Sequence, residues 1–270
     1  MIKAEKKLEI LLKNGKSIQL ELPLPADIPS FFVFGMHKSG SVMLMSIIRE
    51  ICSHVNIPVI EFENFLSRQG IESSLVPDNT LNIFVQEGYG FAGFRMFPDY
   101  LQLVNTTGLK KILLIRDPRD ILVSWYFSLK KSHTIPPGKR GEKILIKRKE
   151  LLETPIDQFA LGQAKVILSR MNVFKDKMSE DPEWKLFRYE DIIFDKYQWV
   201  KDILAFLEFE LEEDVIREIA EKHDIVPNKE NESVHIRQVI PGDHKRKLQQ
   251  STIEKLDREF YLILRDYGYV

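Results

Sequence analysis

Residues 31–41 read Phe31-Phe32-Val33-Phe34-Gly35-Met36-His37-Lys38-Ser39-Gly40-Ser41, and they set the architecture of the chain. The aromatic and β-branched run 31–34 predicts a buried strand that ends at Gly35. Residues 41–54 follow with helical spacing, which places Val42, Met45 and Ile48 on one face. A strand, a short loop and a helix in this order are typical of an α/β fold.

Further short apolar runs predict strands at residues 57–60, 90–94, 111–115 and 184–187. Helical patterns recur at about 118–131, 156–178, 199–208, 212–222 and 250–266. Short apolar strands that alternate with helices indicate a parallel sheet covered on both faces. We therefore expect a three-layer α/β fold around a central parallel sheet of about five strands.

The residues before this unit have a different pattern. Apolar runs at 8–12 and 17–22 flank Lys13-Asn14-Gly15-Lys16, and Asn-Gly between such runs predicts a tight hairpin because both residues tolerate positive φ. We expect residues 1–28 to form a β-hairpin appendage and residues 29–270 to form the main domain. The basic segment 136–149 is expected to be a mobile excursion near the carboxyl edge of the sheet.

Composition narrows the class of protein. The chain has 270 residues, 44% of them apolar and 29% charged, as in soluble globular proteins. Lys and Arg total 39 against 40 Asp and Glu, and this balance argues against a nucleic-acid binder. The single cysteine, Cys52, excludes an intramolecular disulfide, and no zinc-type spacing is present. With no signal-like or membrane-spanning apolar segment, we expect a cytoplasmic protein. Since no residue set has the spacing of a zinc or magnesium site, we also expect no metal.

The loop after the first strand of the sheet is the first candidate site. Ligands of open α/β sheets bind beyond the carboxyl ends of the strands. This loop carries Lys38 and enters a helix N-terminus, which favours an anion. It differs from the ATP-binding P-loop G-x-x-x-x-G-K-[ST], since Gly40 follows Lys38 instead of preceding it. The alternative is a plain strand-to-helix turn with Ser41 as its N-cap.

The order of residues in this loop resembles a known family. Lys38-Ser39-Gly40-Ser41 is similar to the 5′-phosphosulfate loop P-K-S-G-T-[TS]-W of sulfotransferases that use 3′-phosphoadenosine 5′-phosphosulfate (PAPS). His37 stands at the proline, Val42 at the second hydroxyl position, and Met43 at the tryptophan that stacks on adenine. The resemblance implies that residues 37–42 cradle the 5′-phosphate and that Lys38 stabilises the leaving phosphate.

Two further elements follow in the family's order. Arg116-Asp117-Pro118-Arg119-Asp120 with Ser124 resembles its 3′-phosphate motif R-[DN]-P-[RK]-D-x-x-[VA]-S, and the alternative is a set of ion pairs at a helix start. Residues 237–245 resemble the segment R-K-G-x-x-G-D-W-K, which implies nucleotide contacts from Arg237 and Gln238; the alternative is a surface turn. Tyr189, in a Y-E-D segment, would border the adenine, unless it is only a buried tyrosine at a strand end.

The resemblance implies a P-loop NTPase-like sulfotransferase core. The implied reaction transfers a sulfuryl group from PAPS to a hydroxyl, or an amine, of a small-molecule or glycan acceptor. Its products are a sulfate ester and 3′-phosphoadenosine 5′-phosphate (PAP). The acceptor and the oligomeric state stay open. Two alternative functions are a nucleotide-dependent kinase on a related core and a non-catalytic PAP-binding protein.

The general base is the weakest part of the resemblance. Met96 stands where cytosolic members have the catalytic histidine, and it cannot accept a proton. Glycan-modifying members use a glutamate after the second strand of the sheet, where this chain has Glu61 and Glu63. Two apart on an extended chain, these carboxylates would face the same way. His133 and Asp99 are further candidates, and the alternative is that Glu61 and Glu63 are solvated surface residues.

Overall fold

The protein contains two β-sheets. Its structure is a computed structural model, which describes residues 4–77, 80–132, 135, 137–227, 229–231 and 236–270. Strands β1 (Ala4–Leu11) and β2 (Ser17–Pro23) form an antiparallel hairpin. The central sheet contains β3 (Phe31–Gly35), β4 (Val59–Ile60), β5 (Gly90–Phe94), β6 (Lys111–Ile115) and β7 (Trp184–Arg188), all parallel. The five parallel strands confirm the expected sheet.

The helices are α1 (Ser41–His54), α2 (Phe62–Arg68), α3 (Pro118–Phe127), α4 (Lys139–Glu150), α5 (Ile156–Glu180), α6 (Tyr189–Ile192), α7 (Lys196–Leu207), α8 (Glu213–Lys222), α9 (Asp243–Lys247) and α10 (Gln250–Asp266). One face of the sheet packs against α3, α5 and α10, and the other packs against α1, α7 and α8. This arrangement confirms the three-layer α/β fold. In the part of the chain that the structure describes, no helix has both the length and the apolar character needed to cross a bilayer.

Strand β3 shows why the sheet is buried on both sides. Successive side chains of a strand point to opposite faces. Phe32 and Phe34 therefore enter the core beside α5, while Phe31 and Val33 enter the core beside α1. All five residues of the strand are buried, as the continuous apolar run predicts.

The strand order explains where a ligand can bind. The order is β4-β5-β3-β6-β7, so the chain leaves β3 toward one edge and later crosses to the other side. The loop after β3 lies between neighbours reached in opposite directions, at the switch point where α/β sheets open a crevice. The sheet thus places the Lys38 loop at the centre of its carboxyl edge.

The N-terminal hairpin is present, but its turn differs from the expected one. Only Gly15 has a positive φ in the turn, at 80°, so the loop between Leu11 and Ser17 is longer than a two-residue Asn-Gly turn. The buried side chains of the hairpin, among them Leu20 and Leu22, belong to the same hydrophobic cluster as Phe32. The division of the chain at residue 28 stays a prediction.

The basic segment is helical, which corrects the expectation of an irregular excursion over residues 136–149. From Lys139 onward it forms α4. The helix has few apolar residues, but Lys, Arg, Glu, Leu and Ile all have good helix propensity. Two contacts hold it: the Nε of Arg148 donates to the carbonyl of Leu129 over 3.0 Å, and the Nζ of Lys143 lies 2.8 Å from a carboxylate oxygen of Glu72.

Candidate functional site

Four neighbouring strands deliver polar side chains to one point of the carboxyl edge. Lys38 follows β3, Arg95 follows β5, Arg116 follows β6 and Tyr189 follows β7. Arg237 joins them from the segment before α9. We call Lys38, Arg95, Arg116 and Arg237 the cationic cluster, because burial together with the charges of the three arginines lowers the pKa of Lys38 to about 8. Converging cations whose charges disfavour one another are suited to bind an anion.

The loop that carries Lys38 is shaped for close approach to a ligand. Lys38 itself is in the left-handed region at φ 67°, and Gly40, at φ 90°, is the N-cap of α1. A side chain at Gly40 would meet the Tyr189 ring at 3.2 Å. No side chain caps α1, so the N-cap that the alternative interpretation gave to Ser41 is wrong. The N–H groups of the first turn have no intrahelical acceptors and are available as donors to an anion at this helix N-terminus.

Ser39 holds the loop in place. Its buried hydroxyl donates to the carbonyl of Met36 over 2.6 Å and to that of Leu114 over 3.0 Å, and its N–H also donates to Met36. The hydroxyl proton is thus used within the protein, and Ser39 ties the loop to β6. Its predicted contact with a phosphate stays a prediction. In the first turn of α1, Ser41 is buried and Val42 is exposed.

Arg116 is buried at the end of β6, at 5% exposure. Its Nη2 donates to Asp120 over 3.3 Å, and its guanidinium carbon lies 4.4 Å from the centre of the Tyr189 ring. Its Nε is buried and has no hydrogen-bond partner among the described residues. Because a buried N–H without a partner is costly, this atom marks a place where an anionic ligand fits.

Arg119, three residues later, forms ion pairs within the protein. It donates to both carboxylate oxygens of Asp117 and, over 2.6 Å, to Asp257 of α10. The ion pairs proposed as the alternative for this motif therefore exist, since Arg119 pairs with Asp117 and Arg116 with Asp120. Ser124 is half-buried farther along α3.

Asp120 joins the second and third elements and was not predicted as a site residue. Fully buried, it accepts hydrogen bonds from Nδ1 of His244 over 2.7 Å, from the N–H of His244 over 2.9 Å and from that of Gly242 over 2.8 Å. Burial alone would raise the pKa of Asp120, but the hydrogen bonds from His244 and the charge of Arg116 hold it well below its ordinary value. In the sequence Asp120 stands out only as the last acidic residue of the motif Arg116-Asp117-Pro118-Arg119-Asp120, in the first turn of the helix.

The third element forms one wall of the crevice. The two terminal nitrogens of Arg237 donate to Glu230 and Asp243, and its guanidinium lies 4.4 Å from the Phe127 ring centre. The side-chain amide of Gln238 is buried and lacks a hydrogen-bond partner within the described chain. The Tyr189 hydroxyl donates to the carbonyl of Val239 over 3.0 Å. Met43 packs beside Tyr189 and Val239, so this wall is apolar.

A cleft of about 650 Å³ opens beside the loop. Its lining residues come from the loop, from β5 and the residues after it, and from α2 to α5: His37, Glu63, Glu72, Ser73, Gly93, Arg95, Met96, Trp125, Leu129, Lys143, Ile144, Lys147, Phe159, Gln163 and Arg170. The ring of His37 meets the ring of Trp125 edge-on at 5.4 Å. His37 and Arg95 therefore stand where the cleft reaches the cationic cluster.

Glu61 and Glu63 do not lie on an extended chain, so the expectation that their carboxylates face the same way for that reason is wrong. Helix α2 begins at Phe62, so Glu61 is its N-cap and Glu63 lies in its first turn. Glu61 pairs with Arg49 and accepts from Asn64.

Glu63 faces the cleft instead. Its carboxylate accepts from the hydroxyl of Tyr100 over 2.5 Å and from that of Ser73 over 2.7 Å. Asp99 begins a 3-10 turn, Asp99–Leu101, and is exposed. His133 lies outside the described residues. Within the described chain, no group of three or more His, Cys, Asp or Glu side chains is arranged to hold a metal ion.

Known proteins resemble this chain in sequence family and in fold. The sulfotransferase domain family matches residues 29–261. The crystal structure of mouse sulfotransferase SULT7A1 complexed with PAP has a TM-score of 0.52 and 15% identity, covering 91% of this chain and 87% of that one. Retinol dehydratase in complex with androsterone and inactive cofactor PAP has a TM-score of 0.50 and 18% identity, covering 90% and 82%. These two structures share the fold. No curated protein sequence matches the chain.

Proposed function

The chain belongs to the sulfotransferase domain family, and we therefore propose that it transfers a sulfuryl group from PAPS to a hydroxyl, or an amine, of an acceptor. The single observation that carries this proposal is the convergence of the cationic cluster on the Lys38 loop. A donor with a 5′-phosphosulfate and a 3′-phosphate brings negative charge to the place where this chain concentrates positive charge. The fold is shared with two structures that contain PAP.

The residues present fit such a donor. The Nε of Arg116, which has no partner among the described residues, is an available donor for the 3′-phosphate. Ser124, on the helix that follows Arg116, and Arg237, as a second cation, would complete the site. The first-turn N–H groups of α1 are suited to the 5′-phosphate. Met43, Tyr189 and Val239 offer an apolar surface for the adenine. Gln238, whose buried amide lacks a partner in the described chain, can meet a polar group of the nucleotide.

PAPS supplies an electrophilic sulfuryl group whose bond to the 5′-phosphate is broken as the acceptor oxygen attacks. The protein's part is positioning and neutralisation of charge. Lys38 stabilises the negative charge that grows on the departing 5′-phosphate. Arg95, the member of the cationic cluster that also lines the cleft, adds positive charge beside the donor.

Calorimetry of the full chain with PAP, 5′-AMP, ADP and ATP with magnesium tests the donor site. We expect PAP to bind roughly 10- to 100-fold more tightly than 5′-AMP, since the added phosphate gains charge-assisted hydrogen bonds. Ser124→Ala should reduce that preference without disturbing the buried Arg116–Asp120 pair. Binding of ATP with magnesium in place of PAP would favour the kinase alternative and reject this proposal.

We assign the general base to Glu63. It is one of the two proposed carboxylates and the one that faces the cleft, whereas Glu61 is paired with Arg49. A base must lie within hydrogen-bond reach of the acceptor, and the cleft is the space next to the loop. When Glu63 takes the hydroxyl proton, Tyr100 and Ser73 keep its carboxylate oriented.

Glu63→Gln should lower kcat by roughly 10²- to 10⁴-fold and leave the affinity for PAP unchanged. Glu61→Gln is the matched control, since it removes a carboxylate two residues away that does not line the cleft. Single-turnover formation of PAP from PAPS, with any acceptor that the protein accepts, measures the difference. Equal loss in both variants would contradict the assignment, and His37→Asn would then test the imidazole that also lines the cleft. PAP binding without turnover of any acceptor would support the non-catalytic alternative.

A further inference from the structure

Arg170 is the feature of the cleft that the proposed reaction does not use. It lies on α5 and lines the cleft, with its guanidinium carbon 5.9 Å from the centre of the Trp125 ring. It is half-buried, and burial is the sole cause that lowers its pKa. Among the described residues it has no ion pair. Arg170 is thus a partly desolvated positive charge that contacts an aromatic ring but has no carboxylate partner in the described structure.

The position of Arg170 follows from the periodicity of α5. Phe159, Gln163 and Arg170 are spaced by four and then seven residues, so they form one stripe along the helix. All three line the cleft. The side chain is therefore directed into the cavity by the helix itself.

The other charges of the cleft already have partners. Lys143 pairs with Glu72 over 2.8 Å, and Lys147 pairs with Glu150 over 3.0 Å. Glu63 accepts two hydrogen bonds from hydroxyls. Arg95 belongs to the cationic cluster at the donor side. Because the whole chain has a net charge of only -1, an uncompensated cation in the cleft is a local arrangement and does not reflect an overall excess of basic residues.

Within the proposed function, on which this inference rests, we propose that the acceptor is a small hydroxylated carboxylic acid whose carboxylate binds Arg170. One unpartnered guanidinium matches one negative charge, and its planar fork fits a carboxylate with two parallel hydrogen bonds. A partly buried cation without an ion-pair partner pays a desolvation cost, so a ligand that pairs with it is favoured over a neutral analogue.

Trp125 sets the shape of this acceptor. Its ring meets His37 of the loop at 5.4 Å and the guanidinium of Arg170 at 5.9 Å. Phe159 packs against the same ring edge-on at 5.6 Å and also lines the cleft. The hydroxyl end of the acceptor belongs near the loop and the carboxylate end near Arg170. An apolar body of roughly one ring, packed on Trp125 and Phe159, joins the two ends.

The test compares acids with their neutral amides. Para-hydroxybenzoate, para-hydroxyphenylacetate and para-hydroxyphenylpropionate, each with its primary amide, are offered to the full chain with PAPS, and PAP release is measured. Binding of the same compounds to the PAP complex is measured by calorimetry. We expect at least one acid to exceed its amide by about tenfold or more in kcat/KM or in affinity.

Variants assign that preference to one side chain. Arg170→Gln should remove the preference for the acid and leave the affinity for PAP unchanged, while Arg170→Lys should retain part of the preference. Lys165→Gln, which removes an exposed cation of the same helix outside the cleft, should retain all of it.

Three outcomes would each overturn the inference. The amides could react or bind as well as the acids, the preference for the acid could survive in Arg170→Gln, or no acid in the series could bind or react. Failure of the unmodified protein to bind PAP would instead reject the proposed function. The two failures are therefore distinguishable.

Discussion

Both the backbone conformation of Lys38 and its surroundings are energetically unfavourable for a charged lysine. Its φ of 67° lies in the left-handed region, which costs a side-chain-bearing residue roughly 1–2 kcal/mol. Burial and three arginines disfavour its charge. A glycine at this position would avoid both costs. A bound anion would compensate the second cost, so the residue is better explained by ligand binding than by folding.

The pH dependence of PAP binding tests this explanation. In the free protein Lys38 has a pKa of about 8, below its ordinary 10.5, so it is protonated below pH 8 and neutral above it. Since an anion binds the protonated form, PAP affinity should be constant in neutral buffer below pH 8, where the PAP phosphates are ionised. Above pH 8 it should fall by up to about tenfold per pH unit.

Calorimetry on both sides of pH 8 measures this change, with Lys38→Arg as the control. The guanidinium stays charged, so this variant should bind with little pH dependence. The same slope in both proteins would show that another group titrates. For stability the sign is opposite. The unfolded chain binds the Lys38 proton more tightly, so the free energy of unfolding gains from this group as pH rises from about 8 toward 10.5.

At the scale of elements, one carboxylate holds α3 to the N-terminus of α9. Asp120 accepts from Arg116 of its own motif and from Gly242 and His244 of the third element, which lies more than a hundred residues away in the chain. The positions of both predicted 3′-phosphate cations, Arg116 and Arg237, therefore depend on this junction.

Asp120→Asn should lower the free energy of unfolding by about 3 kcal/mol, because it leaves buried donors and a guanidinium without their charged partner. Chemical denaturation of the variant and the parent measures the loss. Asp191→Asn is the matched control, since Asp191 also pairs with an arginine, Arg188, but its side chain is 53% exposed. The control should change stability by less than about 0.5 kcal/mol. Equal losses in the two variants would contradict the role given to the junction.

The depressed pKa of Asp120 gives this prediction a pH dependence. Its folded pKa lies below the ordinary value of 3.8, so its contribution is complete above that value and is lost as pH falls below it. The difference in stability between the parent and Asp120→Asn should therefore shrink in acid. A difference that stays constant as pH falls would show that the charge is not the cause.

At the scale of the whole molecule, the hairpin shares the core of the main sheet. Leu22 is 2% exposed and lies in the same cluster as Phe32, and the N–H of Lys13 donates to the carbonyl of Leu75 over 2.8 Å. The hydroxyl of Tyr89 also donates to the carbonyl of Pro23 over 2.8 Å. These contacts couple the hairpin to the chain around β5.

Leu22→Ala should therefore lower the global unfolding free energy by about 3 kcal/mol through the cavity it leaves. Leu11→Ala, at a leucine of the same hairpin that is 62% exposed, should change it by less than about 0.5 kcal/mol. Thermal unfolding followed by circular dichroism measures both. An unchanged global midpoint in Leu22→Ala would show that residues 1–28 are an independent appendage, as the sequence alone led us to expect.

The sequence by itself determined the strands, most helices, the parallel sheet and the order of the three motifs that resemble those of the family. Apolar periodicity and short spacings such as Lys38-Ser39-Gly40 are local properties, and buried strands such as Phe31–Gly35 need continuous apolar runs. Helix α4 was missed because its propensity is carried by charged residues and it has little apolar pattern.

Only the tertiary structure decided which charges meet. Arg95 approaches Lys38, Glu61 pairs with Arg49, and Arg170 lines the cleft without an ion pair among the described residues. The residues next to these three in the sequence indicate none of it. The physical reason is that a charge chooses among partners by distance in space and by burial, and both are fixed when distant segments pack together. Glu61 pairs with Arg49 whereas Glu63 faces the cleft, because α2 begins between them at Phe62.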